Sequence, residues 1–205
     1  MARDTHSIVK MSRREGYALH PKAHKALVKR PGKPGQHGNN MRLNKQSQYA
    51  LQLREKQKVK RLYGLLEKQF SNLMKEASRK QGQSGEILLQ FLEQRLDNAV
   101  YRAGFAPSRR AARQLVTHGH FMLNGTRVDV PSIRVKAGDT LVVRERSKSS
   151  EYFKKLDDVS PAPASIPAWL KVNRKKVELE IAGLPAREDA EPEIKEQLIV
   201  EYYSR

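Results

Sequence analysis

The sequence contains no cysteine, and this absence excludes two structural devices. Disulfide bonds cannot cross-link the chain, and thiolates cannot hold zinc. Long apolar runs are also missing, since nothing approaches the ~20 consecutive apolar residues of a membrane-spanning helix. The N-terminus reads Met-Ala-Arg-Asp-Thr-His and lacks the apolar core of a secretory signal. We therefore expect a cytosolic protein that folds around an ordinary apolar core.

Negative charge is scarce. The 205 residues carry 40 Lys and Arg against 22 Asp and Glu, a formal net charge of +18. Such a surplus opposes compaction unless a polyanion neutralises it. Nucleic acid is the polyanion that we expect, with a membrane surface as the alternative.

The charge is distributed unevenly along the chain. Residues 1–80 hold 20 basic and 5 acidic side chains, residues 81–150 hold 11 and 6, and residues 151–205 hold 9 and 11. We therefore expect the polyanion to contact the first half and the middle of the chain. The last quarter, with a net charge of −2, is expected to serve another purpose.

Residues 1–45 are basic and contain few large apolar residues. Prolines and glycines between Arg30 and Gly38 disfavour regular structure there, because proline lacks an amide donor and glycine loosens the backbone. We expect an extended arm over 1–45 that orders fully only on its partner.

Three helices are predicted after this arm. Apolar residues at three- and four-residue steps indicate one over 47–80, with Gly64 as a point where it bends or splits. A second runs from Ser84 towards Gly104, and a short third follows Ser108. The third carries an arginine cluster, composed of Arg109, Arg110 and Arg113.

Short strands follow the helices. Asn124-Gly125 is a strong hairpin signal between apolar segments at 121–123 and 126–128. Further strands are expected at 141–143, near Trp169-Leu170 and over 177–181. An acidic run at 188–196 precedes a last apolar segment, Leu198-Ile199-Val200.

The arginine cluster favours binding of phosphate. The planar guanidinium fork donates paired hydrogen bonds to phosphate oxygens, and a helix N-terminus offers free backbone amides. We expect His118, His120 and the turn at Asn124 to line the same edge. A solvated helix face is the alternative, but three arginines in the first turns of a helix favour phosphate in so basic a chain.

Residues 95–139 resemble the S4 RNA-binding domain in order and spacing. The matching residues are Arg95-Leu96-Asp97-Asn98, Tyr101-Arg102, Gly104-Phe105-Ala106, Ser108-Arg109, Ala112-Arg113-Gln114-Leu115-Val116, His118, Asn124-Gly125, Val128, Pro131-Ser132 and Gly138-Asp139. Ala111 departs from the pattern, since relatives often carry an acidic residue there. The resemblance implies two helices packed on a small twisted sheet, with RNA held by the basic second helix and the adjacent hairpin.

Other segments are similar to bacterial-type ribosomal proteins of the S4 family. They are Ser12-Arg13-Arg14-Glu15-Gly16, Pro34-Gly35-Gln36-His37-Gly38, Leu53-Arg54-Glu55-Lys56-Gln57-Lys58, Tyr63-Gly64, Ile166-Pro167-Ala168-Trp169-Leu170 and the ending Gln197-Leu198-Ile199-Val200-Glu201-Tyr202-Tyr203-Ser204-Arg205. The resemblance spans nearly the whole chain and is weakest at 3–11 and 17–33.

The resemblance implies an α+β fold with a mostly helical N-terminal lobe, an S4 module and short C-terminal strands. The expected divisions are the arm 1–45, a helical lobe 46–94 on which the tail 188–205 packs, the S4 domain 95–158, and strands and linker at 159–187. It also implies a cytoplasmic location in the small ribosomal subunit, or in the ribosome of an organelle.

The implied function is that of a structural, non-enzymatic protein. It would bind a multi-helix junction in the 5′ domain of small-subunit rRNA, nucleate assembly of the subunit body and contact ribosomal protein S5. It would also lie near the mRNA entry path and influence decoding accuracy with ribosomal proteins S5 and S12.

We expect two sets of site residues and no cofactor. The residues expected to bind RNA are Arg13, Arg14, Lys33, Gln36, His37, Arg54, Lys56, Lys58, Arg61, Ser108, Arg109, Arg110, Arg113, Gln114, His118, His120 and Asn124. Those expected to contact a protein partner are Glu188, Asp189, Glu191, Glu193, Glu196 and Tyr202. Such acidic groups would pair with a neighbouring protein or with the chain's own helix at 47–80.

Three rival functions fit the same residues less well. A free RNA chaperone or ribosome-rescue factor would carry the S4 module without the long basic arm and tail. An RNA-modifying enzyme would need a catalytic domain, and Asp97, or His118 with Ser108, forms no catalytic triad. A DNA-packaging protein fits the charge but not the module. His6, His20, His24 and His37 match no metal-ligand spacing, so we expect no metal.

Overall fold

We describe the chain from a computed structural model, which covers residues 4–36, 38, 46–163 and 165–204. It divides into two compact units, one formed by Met1–Leu88 with Pro192–Arg205 and the other by Leu89–Glu191. The α+β prediction is confirmed, since the described residues contain helices and one antiparallel sheet.

The regular elements follow one another along the chain in a helix-rich first half and a mixed second half. The helices are α1 (Ile8–Glu15), α2 (Pro21–Lys29), α3 (Gln48–Leu62), α4 (Glu67–Ala77), α5 (Ser84–Glu93), α6 (Leu96–Arg102), α7 (Arg109–Thr117), α8 (Glu145–Lys148), α9 (Glu151–Lys154), α10 (Leu156–Val159) and α11 (Glu196–Tyr203). The strands are β1 (Phe121–Leu123), β2 (Thr126–Val128), β3 (Thr140–Val143), β4 (Leu170–Asn173) and β5 (Glu178–Ile181).

The expectation of an extended arm over 1–45 is wrong for the residues that form α1 and α2. Helix α2 begins with Pro21 at a position that needs no amide donor, and the His20 ring accepts a hydrogen bond from the Lys22 amide at 3.0 Å. The Arg13 side chain donates to the carbonyl oxygens of Arg30 and Gly32 at 3.0 and 3.1 Å. The N-terminal cap of α2 and the hydrogen bonds of Arg13 thus help to order this segment, although it contains few large apolar residues.

The predicted helix over 47–80 is split where Gly64 lies. This glycine has a φ of +65°, a left-handed conformation that favours glycine and ends α3. Leu66 precedes α4 in extended conformation. The apolar stripe is buried on both sides of the break, at Val59, Leu62, Phe70, Met74 and Ala77.

The C-terminal apolar segment forms α11, which packs on α3 within the first unit. Gln52 donates to the Glu201 carboxylate at 2.8 Å, and Glu55 accepts from the Lys195 amide at 2.9 Å. A Cβ at Gly85 would lie 2.9 Å from Cγ of Glu196, so any larger residue there would require the Glu196 side chain to shift. Ile199 is fully buried in α11.

The predicted helix from Ser84 to Gly104 is interrupted between α5 and α6. Arg95 has an extended conformation, with φ −62° and ψ 138°. The backbone around it pairs with a later segment, because Leu96 donates to the Ile133 carbonyl at 2.8 Å and Gln94 accepts from the Val135 amide at 2.9 Å. A tertiary contact therefore overrides the helical periodicity.

The five strands form one antiparallel sheet in the order β2-β1-β3-β5-β4. Asn124, with a φ of +49°, begins the predicted hairpin turn, and Phe121 faces Val128 across it. Strands β4 and β5 join the same sheet through the pairing of β3 with β5, so the strands after residue 159 do not form a separate element. The core beneath includes the fully buried Phe105 and Phe121.

Candidate nucleic-acid interface

Helix α7 of the second unit is capped at its start and buries its apolar face. The Ser108 hydroxyl caps the helix by accepting a hydrogen bond from the Ala111 amide at 3.2 Å, and Ser108 itself is buried. Ala112, Leu115 and Val116 point into the core. The remaining faces of the helix carry the arginine cluster.

Arg109 is held in place from several directions. Its Nε donates to the Asn98 side-chain oxygen at 2.8 Å, and its guanidinium lies over the Tyr101 ring, 4.7 Å from the centroid. Nη2 donates to the Glu191 carboxylate at 3.1 Å. The group is therefore pre-organised, which lowers the entropic cost of binding an anion.

A fully buried carboxylate, that of Glu93, lies beneath this arrangement. It accepts hydrogen bonds from Arg102 Nε and Nη2 at 3.0 and 2.9 Å and from Asn98 Nδ2 at 2.7 Å. Paired contacts of this kind fix a guanidinium in orientation as well as in position. Glu93 thus orients Asn98, which in turn holds Arg109.

The other two arginines of the cluster differ in exposure. The Arg113 side chain is largely buried and lies 3.5 Å from the Asp97 carboxylate. The same carboxylate accepts paired hydrogen bonds from Arg95. Arg110 is exposed. Gln114 is exposed too, so Arg110 and Gln114 are accessible polar side chains on α7.

The histidines and the hairpin turn are not brought together. His118 and His120 lie at one end of β1, with ring centroids 5.9 Å apart, while Asn124 lies at the other end, about 10 Å away for a three-residue strand. The Asn124 amide binds the Asp139 carboxylate at 2.8 Å, and its side-chain oxygen accepts from the Thr140 amide at 2.9 Å. The Asn124 side chain therefore links the hairpin turn to the residues at the start of β3.

His120 is packed against the second unit's core. Its Nδ1 lies 3.1 Å from the Ser147 hydroxyl, and its ring contacts Phe153 edge-on. Burial, with smaller contributions from His118 and Arg144, lowers the pKa of His120 below its ordinary value. The ring is therefore neutral at pH 7 and adds no cation to the surface.

The first unit carries a separate set of basic residues. Arg14, Lys33 and Gln36 are exposed, whereas the Arg13 guanidinium is engaged with backbone carbonyls of the loop after α2. His37 lies outside the described residues. The exposed members of this group are the ones able to reach a phosphate.

Arg54 and Arg61 on α3 meet at the fully buried side chain of Glu15, which comes from α1. Arg54 lies 3.2 Å from the carboxylate, and Arg61 also donates to it. Burial raises the pKa of Glu15, although Arg54 and Arg61 oppose that shift. The pairing fastens α1 to α3 and leaves Arg54 about a third exposed, at 37%.

Lys56 is engaged inside the first unit, not on its surface. Its side chain is 4% exposed, its Nζ lies 2.6 Å from the Glu67 carboxylate, and it sits over the Tyr202 ring at 4.4 Å from the centroid. Lys58 contacts Glu55 at 2.8 Å and the Glu193 carbonyl at 2.8 Å. These lysines hold α3, α4 and the tail together.

Glu67 should stabilise the first unit in a pH-dependent way. Although burial alone would raise its pKa, hydrogen bonds from Lys56, Lys60 and Tyr203 together lower it below 4.5. The stabilisation is therefore complete above pH 4.5 and is lost as the pH falls further. Glu67→Gln should lower the free energy of unfolding at pH 7 by about 1 kcal/mol, because Lys56 keeps no anionic partner at this position.

Helical circular dichroism during denaturant unfolding measures this effect at about pH 7 and at a lower, acidic pH. The difference between wild type and Glu67→Gln should shrink at the lower pH. Glu193→Gln removes an exposed carboxylate of the same unit that lies outside its helices, so it is the matched control and should change neither value. A difference that grew on acidification would contradict the assignment.

The acidic residues near the C-terminus have mixed surroundings. Glu188 and Glu193 are exposed, and the Asp189 carboxylate accepts from the Ala186 amide at 2.7 Å. Glu196 packs against Gly85, and the Tyr202 ring lies 5.8 Å from that of Tyr49. Of this set, Glu188 and Glu193 present accessible carboxylates.

Glu191 corrects the sequence-based interpretation of the acidic run. Its carboxylate lies 3.1 Å from Arg109 and 3.5 Å from Arg102 in its own unit. The sequence did not predict these contacts, because the return of residue 191 to α7 depends on the path of the chain after β5, which local patterns do not specify. Contact of Glu191 with a protein partner stays a prediction.

Comparison with known proteins gives matches along the whole chain. The family model "Ribosomal protein S4/S9 N-terminal domain" matches residues 3–93, and the model "S4 domain" matches residues 94–141. The small ribosomal subunit protein uS4 of Clostridioides difficile is 51% identical over 211 residues, with 100% of both chains covered. Those of Chlorobaculum tepidum and Roseiflexus castenholzii are 50% and 48% identical over 206 residues, with the same coverage.

The chain belongs to the uS4 family of small ribosomal subunit proteins. Membership makes it a structural constituent of the small ribosomal subunit and not an enzyme, as the resemblance implied. The S4 domain model ends within β3, whereas the sheet continues through β5 and β4 to residue 181. In this uS4-family chain the S4 module is therefore extended by two further strands.

The described residues lack two features, a membrane-spanning helix and a cluster of metal ligands. No helix among them is long and apolar enough to cross a bilayer. Over the same residues, no group of three His, Asp or Glu side chains is arranged to hold a metal ion.

Sequence reasoning missed the residues that orient the arginine cluster. Glu93, Asn98 and Arg102 were not assigned a role in the site, yet they form the network beneath Arg109. A partial signal was present, because Asn98 and Arg102 are helical neighbours four residues apart. The link to Glu93 depends on the break in the helix at Arg95, which the periodicity conceals.

Proposed function

We propose that this uS4-family chain binds small-subunit rRNA directly, at a junction of several helices in the 5′ domain, and holds that junction in its folded form. The observation that carries the proposal is the arrangement of α7: an exposed Arg110 beside Arg109, which the Asn98 amide oxygen holds, and Arg113, which lies 3.5 Å from the buried Asp97 carboxylate. Structured RNA is recognised largely by shape and by phosphate contacts, and this surface supplies both a fixed geometry and positive charge.

The proposed RNA-contacting residues are a revised set. On the second unit they are Arg109, Arg110, Gln114 and His118. On the first unit they are Arg14, Lys33, Gln36 and the exposed part of Arg54, and His37 stays a prediction. Lys56 is omitted because its ammonium is buried and paired, and Asn124 because its amide is bound within the hairpin region.

We further propose the wider roles that the family resemblance implies. The chain would nucleate assembly of the subunit body, contact ribosomal protein S5, lie near the mRNA entry path, and influence decoding accuracy with ribosomal proteins S5 and S12. The exposed Glu188 and Glu193 are the acidic groups available for a basic protein partner. Exposed ion pairs contribute only about 0 to 1 kcal/mol each, so they would orient the partner more than bind it.

A binding competition tests the proposed function. The full chain is retained on filters with a labelled transcript of the 5′ domain, and unlabelled competitors are added. The junction transcript should compete at least about tenfold better than duplex DNA or a perfect RNA duplex of equal length, a difference of about 1.4 kcal/mol. Equal competition by all three would contradict the proposal and favour non-specific binding of polyanions.

A further inference from the structure

We infer that Glu191 acts as an internal stand-in for phosphate: its carboxylate occupies, in the free chain, a position on Arg109 and Arg102 that an RNA phosphate takes in the complex. This inference rests on the proposed function and adds that a carboxylate of the chain itself competes with RNA phosphate for these arginines. One oxygen of Glu191 lies between the two guanidinium groups, 3.1 Å from Arg109 and 3.5 Å from Arg102. A phosphate oxygen makes charge-assisted contacts of the same kind with arginine.

Both arginines would keep their positions if Glu191 moved away. Arg109 remains bonded to Asn98 through Nε and stacked on Tyr101. Arg102 remains bonded to the buried Glu93 through two nitrogens. Glu191 is therefore not needed to place these groups, and its departure leaves two oriented cations ready for another anion.

Glu191 is also the exchangeable member of the network. Its side chain is 24% exposed, whereas that of Glu93 is fully buried. It lies in the segment between a 3-10 helix at Arg187–Asp189 and the start of α11, where regular backbone bonding does not fix it. Its Oε1 is shared between one nitrogen of Arg109 and one of Arg102, whereas Glu93 binds Arg102 through two nitrogens. Glu191 therefore lacks the paired geometry that makes an arginine–carboxylate contact strong, and a phosphate can replace it.

The competitor would weaken non-specific binding more than binding to the correct site. An RNA that contacts the protein through one phosphate gains little binding free energy by displacing Glu191. A folded junction makes several contacts at once, and their combined free energy exceeds the cost of displacing Glu191. An acidic side chain on the binding surface thereby raises discrimination against other polyanions.

Variants at Glu191 test this inference by their affinity for the 5′-domain transcript, measured by filter retention. Glu191→Gln should bind about fivefold more tightly, which corresponds to about 1 kcal/mol. Glu191→Asp keeps the net charge but shortens the side chain, and should bind about twofold more tightly. Glu193→Gln and Glu193→Asp change an exposed carboxylate in the same segment and serve as matched controls, with Glu193→Gln gaining less than about 1.5-fold.

The outcomes separate the inference from the function on which it rests. An equal rise in the affinity of Glu191→Gln and Glu193→Gln for the transcript, while Glu191→Asp binds as wild type does, would show that only long-range charge affects binding. That result would exclude Glu191 as a competitor of phosphate. If Glu191→Gln binds more weakly, the carboxylate orients the arginines for RNA and the inference is overturned. Failure of the wild-type chain to prefer the transcript would instead overturn the proposed function, and the inference with it.

Discussion

Arg110→Glu is expected to weaken binding to the 5′-domain transcript by roughly thirtyfold. A charge-assisted hydrogen bond to phosphate contributes about 2 kcal/mol, which corresponds to that factor. Arg110 is the exposed arginine of the cluster, so its reversal changes the charge of the surface that we propose for RNA binding. The slope of log affinity against log salt should also fall, by roughly 0.7 to 0.9 for each phosphate that the variant no longer neutralises.

Lys176→Glu is the matched control for this reversal. It makes the same change in net charge at an exposed position in the turn between β4 and β5, at the opposite edge of the sheet from the β1–β2 hairpin. Its affinity and salt slope should stay within about threefold of wild type, allowing for long-range electrostatics. Equal reductions of affinity in the two variants would show that α7 contributes only general charge.

Reversing the charge of Arg113 tests RNA binding less cleanly than the sequence alone suggests. Its guanidinium lies 3.5 Å from Asp97, and Arg113→Glu would set two carboxylates against each other in a largely buried place. Weaker RNA binding by that variant would therefore combine the removal of a phosphate-binding group with a disturbed fold.

Glu93→Gln should produce the largest reduction of stability. Its carboxylate is fully buried and accepts three side-chain hydrogen bonds, and removing one partner of such an ion pair typically costs about 3 to 5 kcal/mol. For a unit of about 100 residues, each kcal/mol lowers the Tm by roughly 4 to 8 °C, so we expect a fall of at least ~10 °C. Binding to the transcript should weaken too, because Asn98 and Arg109 lose their orientation.

Tryptophan fluorescence measures this destabilisation directly. Trp169 is the single tryptophan of the sequence and is buried in the core of the same unit. Glu188→Gln removes an exposed carboxylate from that unit and should melt with wild type. If Glu93→Gln also melted with wild type, the buried network would not be what holds α6 and the arginine cluster in place.

The sequence predicted the second unit well where local signals agree with tertiary structure. Helix α7 begins after Ser108 as the capping residue requires, and the hairpin turns at Asn124-Gly125 as predicted. In both places the chemistry of a few neighbouring residues decides the backbone conformation. The apolar faces of α7 and of the helices before it were predicted for the same reason.

The failures have a common physical cause. The helix break at Arg95, the burial of Lys56 and the pairing of Glu191 with Arg109 all depend on residues distant in sequence. A basic residue on a polar helix face looks available to RNA until a partner from another segment, such as Glu67 for Lys56, is seen beside it. Charge patterns therefore predicted which regions are basic but not which basic groups are accessible.

The absence of cysteine allows a direct test of the central claim that α7 faces the rRNA. A single cysteine introduced by Gln114→Cys, on the exposed face of α7, can carry an iron chelate that generates hydroxyl radicals, and Lys176→Cys carries the same probe at the opposite edge of the sheet. With the full chain bound to small-subunit rRNA, the probe at position 114 should cleave nucleotides of the 5′-domain junction, and the probe at position 176 should cleave them weakly. Strong cleavage from position 176 with none from position 114 would show that another surface binds the RNA.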